Sequence, residues 1–249
     1  MKPLVKKRAL RNCLAWFLSL FMMLSIVGTI PVAAENNEAK VDIDEAIAKT
    51  VSWYQENHNP PGSWEGMPAL WGAGEDLNAA PWEATQDWRE VEPGFAADAS
   101  GNDHIHYIFR LLSVEKNPAD IWEGRNLFAE LAAQQGDNGS FGTQIGRHIW
   151  AIVVLDIGRE LGVDVGSWDE ESQQDAVNNL ITQQNSDGSF ASFSQLDHTG
   201  WSLTALSNYQ GDEPVDQAIS DALVYLKGRQ KDNAGFDPPD GSWGPEPEF

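Results

Sequence analysis

Residues 135–141 read Gln-Gly-Asp-Asn-Gly-Ser-Phe, and similar loops follow at residues 184–190 (Gln-Asn-Ser-Asp-Gly-Ser-Phe) and 230–236 (Gln-Lys-Asp-Asn-Ala-Gly-Phe). The first glutamines of the three loops are separated by 49 and then by 46 residues. Recurrence of one short motif at such an interval is typical of a repeat architecture. An interval of this length accommodates two helices and two turns, so each unit is expected to bury its apolar face on its neighbours.

Two kinds of helical segment alternate around these loops. The segment before a loop is apolar along one stripe only, which is typical of a helix with one face in solvent. The segment after a loop is apolar nearly all round, which predicts a buried helix. The alternation therefore predicts an all-α fold in which an outer layer of helices covers an inner layer. The all-round apolar segments are residues 105–112, 149–157 and 201–206.

The central buried segment leaves one alternative open. Residues 149–155 (Ile-Trp-Ala-Ile-Val-Val-Leu) are also compatible with a buried parallel strand, because periodicity does not separate a short strand from a buried helix. That alternative predicts an α/β sheet, whereas the segment Trp201–Leu206 favours a helix. Among the outer segments, Ser167 with Glu170 predicts a capping box, and Pro214 suits the first turn of a helix.

The N-terminal segment has the composition of a secretory signal peptide. Three lysines and two arginines precede the mostly apolar stretch Leu14–Val27, and Val32–Ala34 supplies the small residues that a signal peptidase recognises. We therefore expect residues 1–34 to be removed and residues 35–249 to form a secreted or cell-surface repeat domain. An uncleaved membrane anchor is the alternative, although the apolar stretch is at the short end for one.

Charge and cysteine content exclude several classes of function. Cys13 lies within the predicted signal, so the exported chain is expected to lack disulfides, thiolate zinc sites and cysteine nucleophiles. Loss of the signal removes five basic residues and changes the net charge from −22 to −27. Such a charge repels nucleic acid and anionic membranes, so neither is an expected partner. Membrane insertion is not expected after signal cleavage.

The loops resemble the Gln-x-x-x-Gly-x-aromatic motif of the squalene cyclase and protein prenyltransferase repeats. Residues 197–206 are similar to the inner helices of that terpenoid cyclase-like superfamily and of the cobalamin carriers. The resemblance is clear over residues 120–249 and weaker over residues 42–114. The fold that it implies is an α/α toroid, a ring of helical hairpins around a central cavity. About four hairpins are recognisable, so we expect an incomplete ring and a chain truncated at its C-terminus.

The activities of these families do not carry over residue by residue. Squalene-type cyclases have an Asp-x-Asp-Asp acid motif, which this sequence lacks. The prenyltransferases hold zinc with aspartate, cysteine and histidine, and the expected exported chain has no cysteine. The cobalamin carriers close over their ligand with a β-rich domain for which this sequence shows no candidate. The sequence therefore favours a non-catalytic protein and predicts no cofactor.

A histidine recurs near the start of each inner segment. Aligned by the repeat, residues 103–106 read Asp-His-Ile-His, residues 147–150 read Arg-His-Ile-Trp and residues 197–200 read Asp-His-Thr-Gly. If the inner helices run parallel, these histidines are expected to ring one mouth of the cavity with neighbouring aromatic side chains. The predicted ligand-binding residues are His104, His106, Tyr107, His148, Trp150, Asp197, His198 and Trp201.

Two alternatives to ligand contact remain open for these histidines. In the first alternative, each histidine is a structural residue that caps or packs the start of its helix in the same way because the repeats were copied. A metal site is the other alternative. Because neighbouring helices pack roughly 8 to 10 Å apart, three adjacent ring positions span about 16 Å, too far for one zinc ion. Two adjacent histidines and a carboxylate are close enough, and the candidates are His148, His198 and Asp197.

Three functions are compatible with the sequence. The favoured one is an exported non-catalytic repeat domain that binds a small molecule or a polymer such as a glycan in its cavity, or serves as a cell-surface module. The second is an (α/α)-barrel enzyme that acts on polysaccharide, for which an acid and a base would have to face each other. The third is a terpenoid cyclase-like enzyme whose acid motif lies outside this sequence.

Overall fold

A computed structural model describes residues 43–57, 64–82, 96–122 and 124–229. The predicted signal peptide, the third copy of the loop and the residues that follow it lie outside the described residues. No helix within the described ranges is both long enough and apolar enough to cross a membrane.

The described part of the chain is helical. Residues 207–209 form a short 3-10 turn after the seventh helix, and the described residues contain no strand beyond two isolated bridges. The all-α prediction is confirmed, and the strand alternative for residues 149–155 is wrong because they form the middle of the fifth helix. The eight helices are α1 (Ile43–Asn57), α2 (Gly66–Gly72), α3 (Gly101–Ser113), α4 (Leu127–Ala132), α5 (Ile145–Glu160), α6 (Glu170–Ile181), α7 (Gln195–Leu206) and α8 (Glu213–Arg229).

These helices form two layers. The inner helices α2, α3, α5 and α7 lie side by side, since each packs on the next in that order. The outer helices cover one side of this row: α4 packs on α3 and α5, α6 packs on α5, and α8 packs on α7 and α6. The predicted two-layer arrangement is present. Closure of the layers into a toroid stays a prediction from the family resemblance.

The two layers account for the two sequence patterns. Residues Ala151–Gly158 of α5 are all buried, because α3 and α7 flank this helix while α4 and α6 cover it. The outer helix α6 is buried mainly along the stripe of Ala176, Val177 and Leu180, and most of its other residues face solvent. Burial of apolar surface at the interlayer contact is the main term that holds such a fold together.

The two described copies of the loop have the same backbone structure. In the first copy, the N–H of Gly136 donates to the carbonyl of Ser140 at 2.9 Å. The equivalent bond in the second copy, from Asn185 to Ser189, is 2.8 Å long. The phenylalanine that ends each loop is buried. The sequence repeat is therefore also a structural repeat.

The glutamine that opens each loop connects that loop to the next outer helix. Gln135 Nε2 donates to the carbonyl of Gly139 in its own loop and to that of Ser172 in α6, at 3.2 and 2.7 Å. Gln184 Nε2 makes the same pair of bonds, to its own loop and to Ala218 in α8, at 3.0 and 2.9 Å. The glutamine thus links consecutive units of the repeat.

Replacement of Gln184 by alanine is expected to lower the free energy of unfolding by about 1 to 2 kcal/mol, because two carbonyl groups lose their donor. Gln174 is the matched control, since its exposed amide bonds only to other exposed side chains. Gln174→Ala is expected to change stability by no more than about 0.5 kcal/mol. Urea unfolding of both variants measures the difference, and equal losses would contradict the proposed link.

One predicted helix start is wrong. Asp169, not Ser167, is the N-cap of α6, and its carboxylate accepts a hydrogen bond from the N–H of Ser172 at 3.0 Å. Glu170 is then the first helical residue, too early for the reciprocal bond of a capping box. An aspartate caps a helix as well as a serine does, so the sequence offered two equivalent starts. Pro214 lies in the first turn of α8, as predicted.

Candidate functional site

The fourth residues of α3 and α5 face the outer layer. These residues are His104 and His148, and both are buried. His104 Nε2 lies 3.0 Å from the Glu130 carboxylate in α4. His148 Nε2 donates to the carbonyl of Ala176 in α6 at 3.0 Å. His104 and His148, which were predicted to bind ligand, therefore fill the space between the layers.

His148 joins three parts of the fold. The N–H of Phe141 donates to His148 Nδ1 at 3.2 Å, so Nε2 carries the proton that bonds to the Ala176 carbonyl. Burial lowers the pKa of His148 to about 4, although the bond to Ala176 acts in the opposite direction. A neutral imidazole thus links a loop, an inner helix and an outer helix. This is the geometry expected of a structural histidine.

His104 belongs to a polar group between α3 and α4. Arg125 Nη2 lies 2.6 Å from Glu130 Oε2, the same carboxylate oxygen that contacts His104. Gln134 Nε2 lies 3.3 Å from His104 Nδ1. Burial acts to raise the pKa of Glu130, but the hydrogen bonds from Arg125 and His104 outweigh it and lower that pKa. All of the polar atoms of the His104 ring are therefore occupied within the fold.

In the third unit, the residue equivalent to His148 is Thr199. The N–H of Phe190 donates to Thr199 Oγ1 at 3.0 Å, as the N–H of Phe141 donates to His148. Thr199 follows its phenylalanine by nine residues, whereas His148 follows its own by seven. Counted from the start of its helix, His148 is the fourth residue of α5, whereas Thr199 is the fifth residue of α7. An alignment that matches His198 with His148 is therefore one residue out of register.

Side chains two residues further along each inner helix face the opposite side. An α-helix turns about 100° per residue, so positions two apart point about 200° apart. His106, Trp150 and Trp201 occupy these positions. The Trp150 ring lies 5.6 Å from the ring of Phe109 in α3 and 5.6 Å from that of Trp201 in α7. Trp150 therefore lies on the side of α5 away from the outer layer, which we call the inner face.

A continuous series of aromatic rings crosses the inner face. Trp64, which precedes α2, stacks on His106 of α3 with ring centroids 4.5 Å apart. Trp64 and three other members are half-buried and Phe193 is 67% exposed, so the series presents apolar surface to solvent. Neighbouring centroids are between 4.5 and 5.6 Å apart. We call the series the aromatic row; in order it contains His106, Trp64, Trp150, Trp201, His198 and Phe193.

Two predicted site residues lie away from the aromatic row. Tyr107 packs edge-on against Trp122, with ring centroids 5.8 Å apart. Asp197 is exposed at the start of α7. The structure thus brings together four of the eight predicted residues, and those four are His106, Trp150, His198 and Trp201.

The candidate metal ligands do not converge. His148 faces the outer layer, whereas the His198 ring lies beside α5, where it would be 3.4 Å from a Cβ at Gly146. Across the part of the chain that the structure describes, no group of three or more histidine, cysteine, aspartate or glutamate residues is arranged to hold a metal ion.

A buried carboxylate lies near the other end of the inner helices. Asp156 of α5 accepts hydrogen bonds from Trp168 Nε1 at 3.0 Å and from the Tyr209 hydroxyl at 2.9 Å. Burial raises the pKa of Asp156 to about 6, even though these hydrogen bonds lower it in part. The cluster joins α5 to the end of α7 and to the segment before α6. It has the character of a structural polar network.

Asp103 and Asp197, two of the carboxylates near the starts of the inner helices, do not lie on neighbouring helices. Asp103 and Asp197 are the third residues of α3 and α7, and α5 lies between these helices. At a packing distance of roughly 8 to 10 Å per helix, the axes of these two helices are expected to be about 16 Å apart or more. Inverting glycosidases need a separation of roughly 6.5 to 9.5 Å, and retaining enzymes need less.

A shallow groove of about 310 Å³ opens on the outer side of the molecule. It lies between the first loop and the start of α6, where Gln135 bridges the two. Its acidic lining contributes to the negative charge of the surface. The carboxylates that line it are those of Asp137, Asp169, Glu171 and Asp175.

Sequence reasoning missed two members of the aromatic row. Trp64 precedes α2 in a part of the chain where the repeat is weak, and its most natural interpretation was packing at a helix end. Phe193 lies in the irregular link before α7. Neither residue occupies a repeated position of an inner helix. Only their positions in the three-dimensional structure identify them as members of the row.

Comparisons with known proteins do not assign the chain to a family. No protein-family model matches the chain, and no curated protein or solved structure matches it either. The relationship to squalene cyclase and prenyltransferase repeats therefore stays a prediction based on the loop motif.

Proposed function

We propose that this protein is an exported, non-catalytic repeat protein that binds a ligand along its aromatic row, with glycans as the favoured class of ligand. The supporting observation is that six aromatic rings follow one another across three inner helices, and that all of them except the buried His198 remain partly open to solvent. A contiguous exposed apolar patch on a soluble protein marks an interaction site more often than not. The same proposal includes export of the chain through the predicted signal and a toroidal cavity surrounded by the inner helices.

The shape of the aromatic row favours an extended ligand. Rings only 4.5 to 5.6 Å apart form one continuous series rather than separate pockets, with Trp64 stacked on His106 and edge-on to Trp150. Sugar rings offer flat C–H faces to aromatic side chains and keep their hydroxyl groups at the edges. A glycan chain repeats these apolar faces along its length, as the row repeats its rings.

Binding without turnover is favoured over hydrolysis. The two carboxylates that flank the mouth, Asp103 and Asp197, are separated by a whole helix. Burial raises the pKa of Asp156 to about 6, but this carboxylate already accepts hydrogen bonds from Trp168 and Tyr209. Neither arrangement supplies the facing acid and base that glycoside hydrolysis needs.

Replacement of Trp150 by alanine is expected to weaken glycan binding at least tenfold, because Trp150 is the central ring and contacts Trp64 and Trp201 on its two sides. Isothermal titration of the purified domain with xylo-, cello- and chito-oligosaccharides measures the affinity. Trp53→Ala is the matched control, since Trp53 packs on Tyr54 in α1, outside the row. The control is expected to bind like the native chain.

Two results would contradict the proposal. One is the absence of binding to every oligosaccharide class by the folded native chain. The other is an equal loss of affinity in Trp150→Ala and Trp53→Ala. Circular dichroism of each variant establishes that the fold is retained before the affinities are compared.

A further inference from the structure

The link between the second loop and α7 differs from the equivalent link of the first unit. Residues 142–144 (Gly-Thr-Gln) connect Phe141 to α5, whereas residues 191–194 (Ala-Ser-Phe-Ser) connect Phe190 to α7. The second link, which we call the Phe193 link, is one residue longer and contains an aromatic residue. Since the first unit makes the same connection without the extra residue, closure of the unit does not require it.

Two residues of the Phe193 link have a left-handed backbone conformation. Ala191 has a φ of +66°, and Ser194 has a φ of +44°. In the first link, the residue after the phenylalanine is Gly142, with a φ of +81°, and the residue before the helix is Gln144, which is extended. A Cβ atom makes the left-handed conformation unfavourable, so glycine is the usual residue there. The Phe193 link therefore contains backbone strain that the first link avoids.

The two strained residues are held at their carbonyl groups. The Ala191 carbonyl accepts a hydrogen bond from Asn185 Nδ2 at 2.7 Å, and the Ser194 carbonyl lies 3.0 Å from Nδ1 of His198. Phe193 lies between them and makes no hydrogen bond to any other described residue. Left-handed residues other than glycine persist where the surrounding structure fixes them, and they cluster at functional sites. The backbone on both sides of Phe193 is thus fixed.

Phe193 is the most exposed ring of the aromatic row. It is 67% exposed, whereas the other rings of the row are half-buried or buried. Its ring lies edge-on to that of His198 at a centroid distance of 5.0 Å, and His198 lies 5.0 Å from Trp201. The link therefore holds an apolar ring in solvent at the α7 end of the row, where the ring adds little to the buried core.

We infer that the Phe193 link positions a ligand-contacting ring: Ala191 and Ser194 hold Phe193 where it meets the ligand at the α7 end of the aromatic row. This assignment rests on the proposed function and gives the link a role in it. Phenylalanine offers no hydrogen bond, so the ligand must present an apolar face to it, as a sugar ring does. A ring that is fixed in advance loses little freedom when a ligand covers it, which raises the affinity.

Removal of the ring and release of its backbone are expected to weaken binding separately. The probes are xylohexaose, cellohexaose and chitohexaose, titrated calorimetrically into the native chain and its variants. Phe193→Ala is expected to bind about tenfold more weakly, whereas Phe193→Tyr keeps the ring and is expected to bind like the native chain. Ser194→Gly keeps every side chain of the row and is expected to bind about threefold more weakly, because the ring is no longer fixed.

Stability distinguishes positioning from a general structural role. Glycine tolerates the left-handed conformation, so Ser194→Gly is expected to unfold at the same or a higher urea concentration than the native chain while it binds more weakly. A residue that only supported the fold would lose both stability and affinity. In the Phe193→Ala background, Ser194→Gly is expected to cause no further loss of affinity, because no ring is left to position.

Glu115→Gly is the matched control for the change of backbone. Glu115 also has a left-handed φ, +58°, and it is exposed just after the end of α3, outside the row. Glycine there is expected to leave the affinity for all three hexasaccharides unchanged.

The outcomes separate the role of the link from the proposed function. Native affinity in Phe193→Ala, together with the loss expected for Trp150→Ala, would overturn the role of the link and leave the proposed function standing. Native affinity in Ser194→Gly, or a loss of equal size with and without the Phe193 ring, would overturn the positioning role. If none of the three hexasaccharides binds to the folded native chain, both proposals fail.

Discussion

Gly139→Ala is expected to lower the free energy of unfolding by about 3 kcal/mol or more. Gly139 has a φ of +81°, and a Cβ at this position would lie 2.3 Å from the carbonyl oxygen of Asp175 in α6. The Cβ would meet backbone atoms of α6, so a change of side-chain rotamer could not relieve the clash. The loop and the outer helix would have to separate, and the bond from Gln135 to Ser172 would be lost with the contact.

The control for this variant is Gly162→Ala. Gly162 also has a positive φ, +67°, but no atom lies within 4 Å of its Cβ position. Alanine there is expected to destabilise the fold by about 1 kcal/mol, because only the backbone conformation is unfavourable. Urea unfolding measures both losses. Equal losses would show that contact between the loop and α6 is not essential, which would contradict the structural role of the repeat.

Gly188 provides an independent test of the repeat. Its φ is +88°, and its Cβ would lie 2.3 Å from the carbonyl oxygen of Asp221 in α8. Gly188→Ala is therefore expected to cause the same loss as Gly139→Ala. The two loops make the same approach to consecutive outer helices, so their variants should behave alike.

Acidification is expected to change stability through two buried groups that act in opposite directions. The pKa of His148 is about 4 in the folded protein, below the ordinary value of 6.5. The unfolded chain therefore binds the proton first, and the stability contributed by His148 is present above pH 6.5 and is lost as the pH falls toward 4. Between pH 7 and pH 4.5 this loss amounts to about 2.5 kcal/mol.

Asp156 has the opposite effect. Its pKa is about 6 in the folded protein, above the ordinary value of 3.8. The folded protein therefore binds the proton first, so stability from Asp156 is present below pH 3.8 and is lost as the pH rises through 6. Acidification from pH 7 to pH 4.5 therefore raises the contribution of Asp156 to the free energy of unfolding by about 2 kcal/mol. In the native chain the two changes largely cancel.

Variants separate the two effects. Asp156→Asn is expected to lose about 2 kcal/mol more than the native chain between pH 7 and pH 4.5, because only the histidine titration remains. His148→Gln keeps a neutral donor and acceptor, and it is expected to lose about 2.5 kcal/mol less than the native chain over the same interval. Urea unfolding at both pH values measures these differences. Parallel pH dependences in all three proteins would contradict the buried positions of both groups.

The layers could be predicted from the sequence because burial leaves a strong pattern. The run Ala151–Gly158 is apolar apart from Asp156, and it proved to be buried throughout. The loop glutamines were recognised as repeated residues, but the bond from each loop to the next outer helix depends on contacts that no local pattern encodes. The start of α6 was misplaced because Ser167 and Asp169 are both good N-caps, and only the packing of the helix decides between them.

The site was only partly predictable for a related reason. Histidine recurrence identified His104 and His148, yet both face the outer layer, because helical geometry turns them away from the inner face. The residues two positions further along, His106 and Trp150, were also predicted to bind ligand, and they lie in the aromatic row. Register was lost at Thr199 because the link between loop and helix varies in length, and a shift of one residue turns a side chain by about 100°.

The most direct test of the aromatic row is fluorine NMR of the chain labelled with 5-fluorotryptophan and titrated with xylo-, cello- and chito-oligosaccharides. Single Trp→Phe variants assign the resonances. We predict that the signals of Trp64, Trp150 and Trp201 shift on titration. The signals of Trp53 in α1 and of Trp168, which is buried against Asp156, should stay unchanged. Shifts confined to Trp53 or Trp168, or no shifts at all, would contradict ligand binding along the inner face.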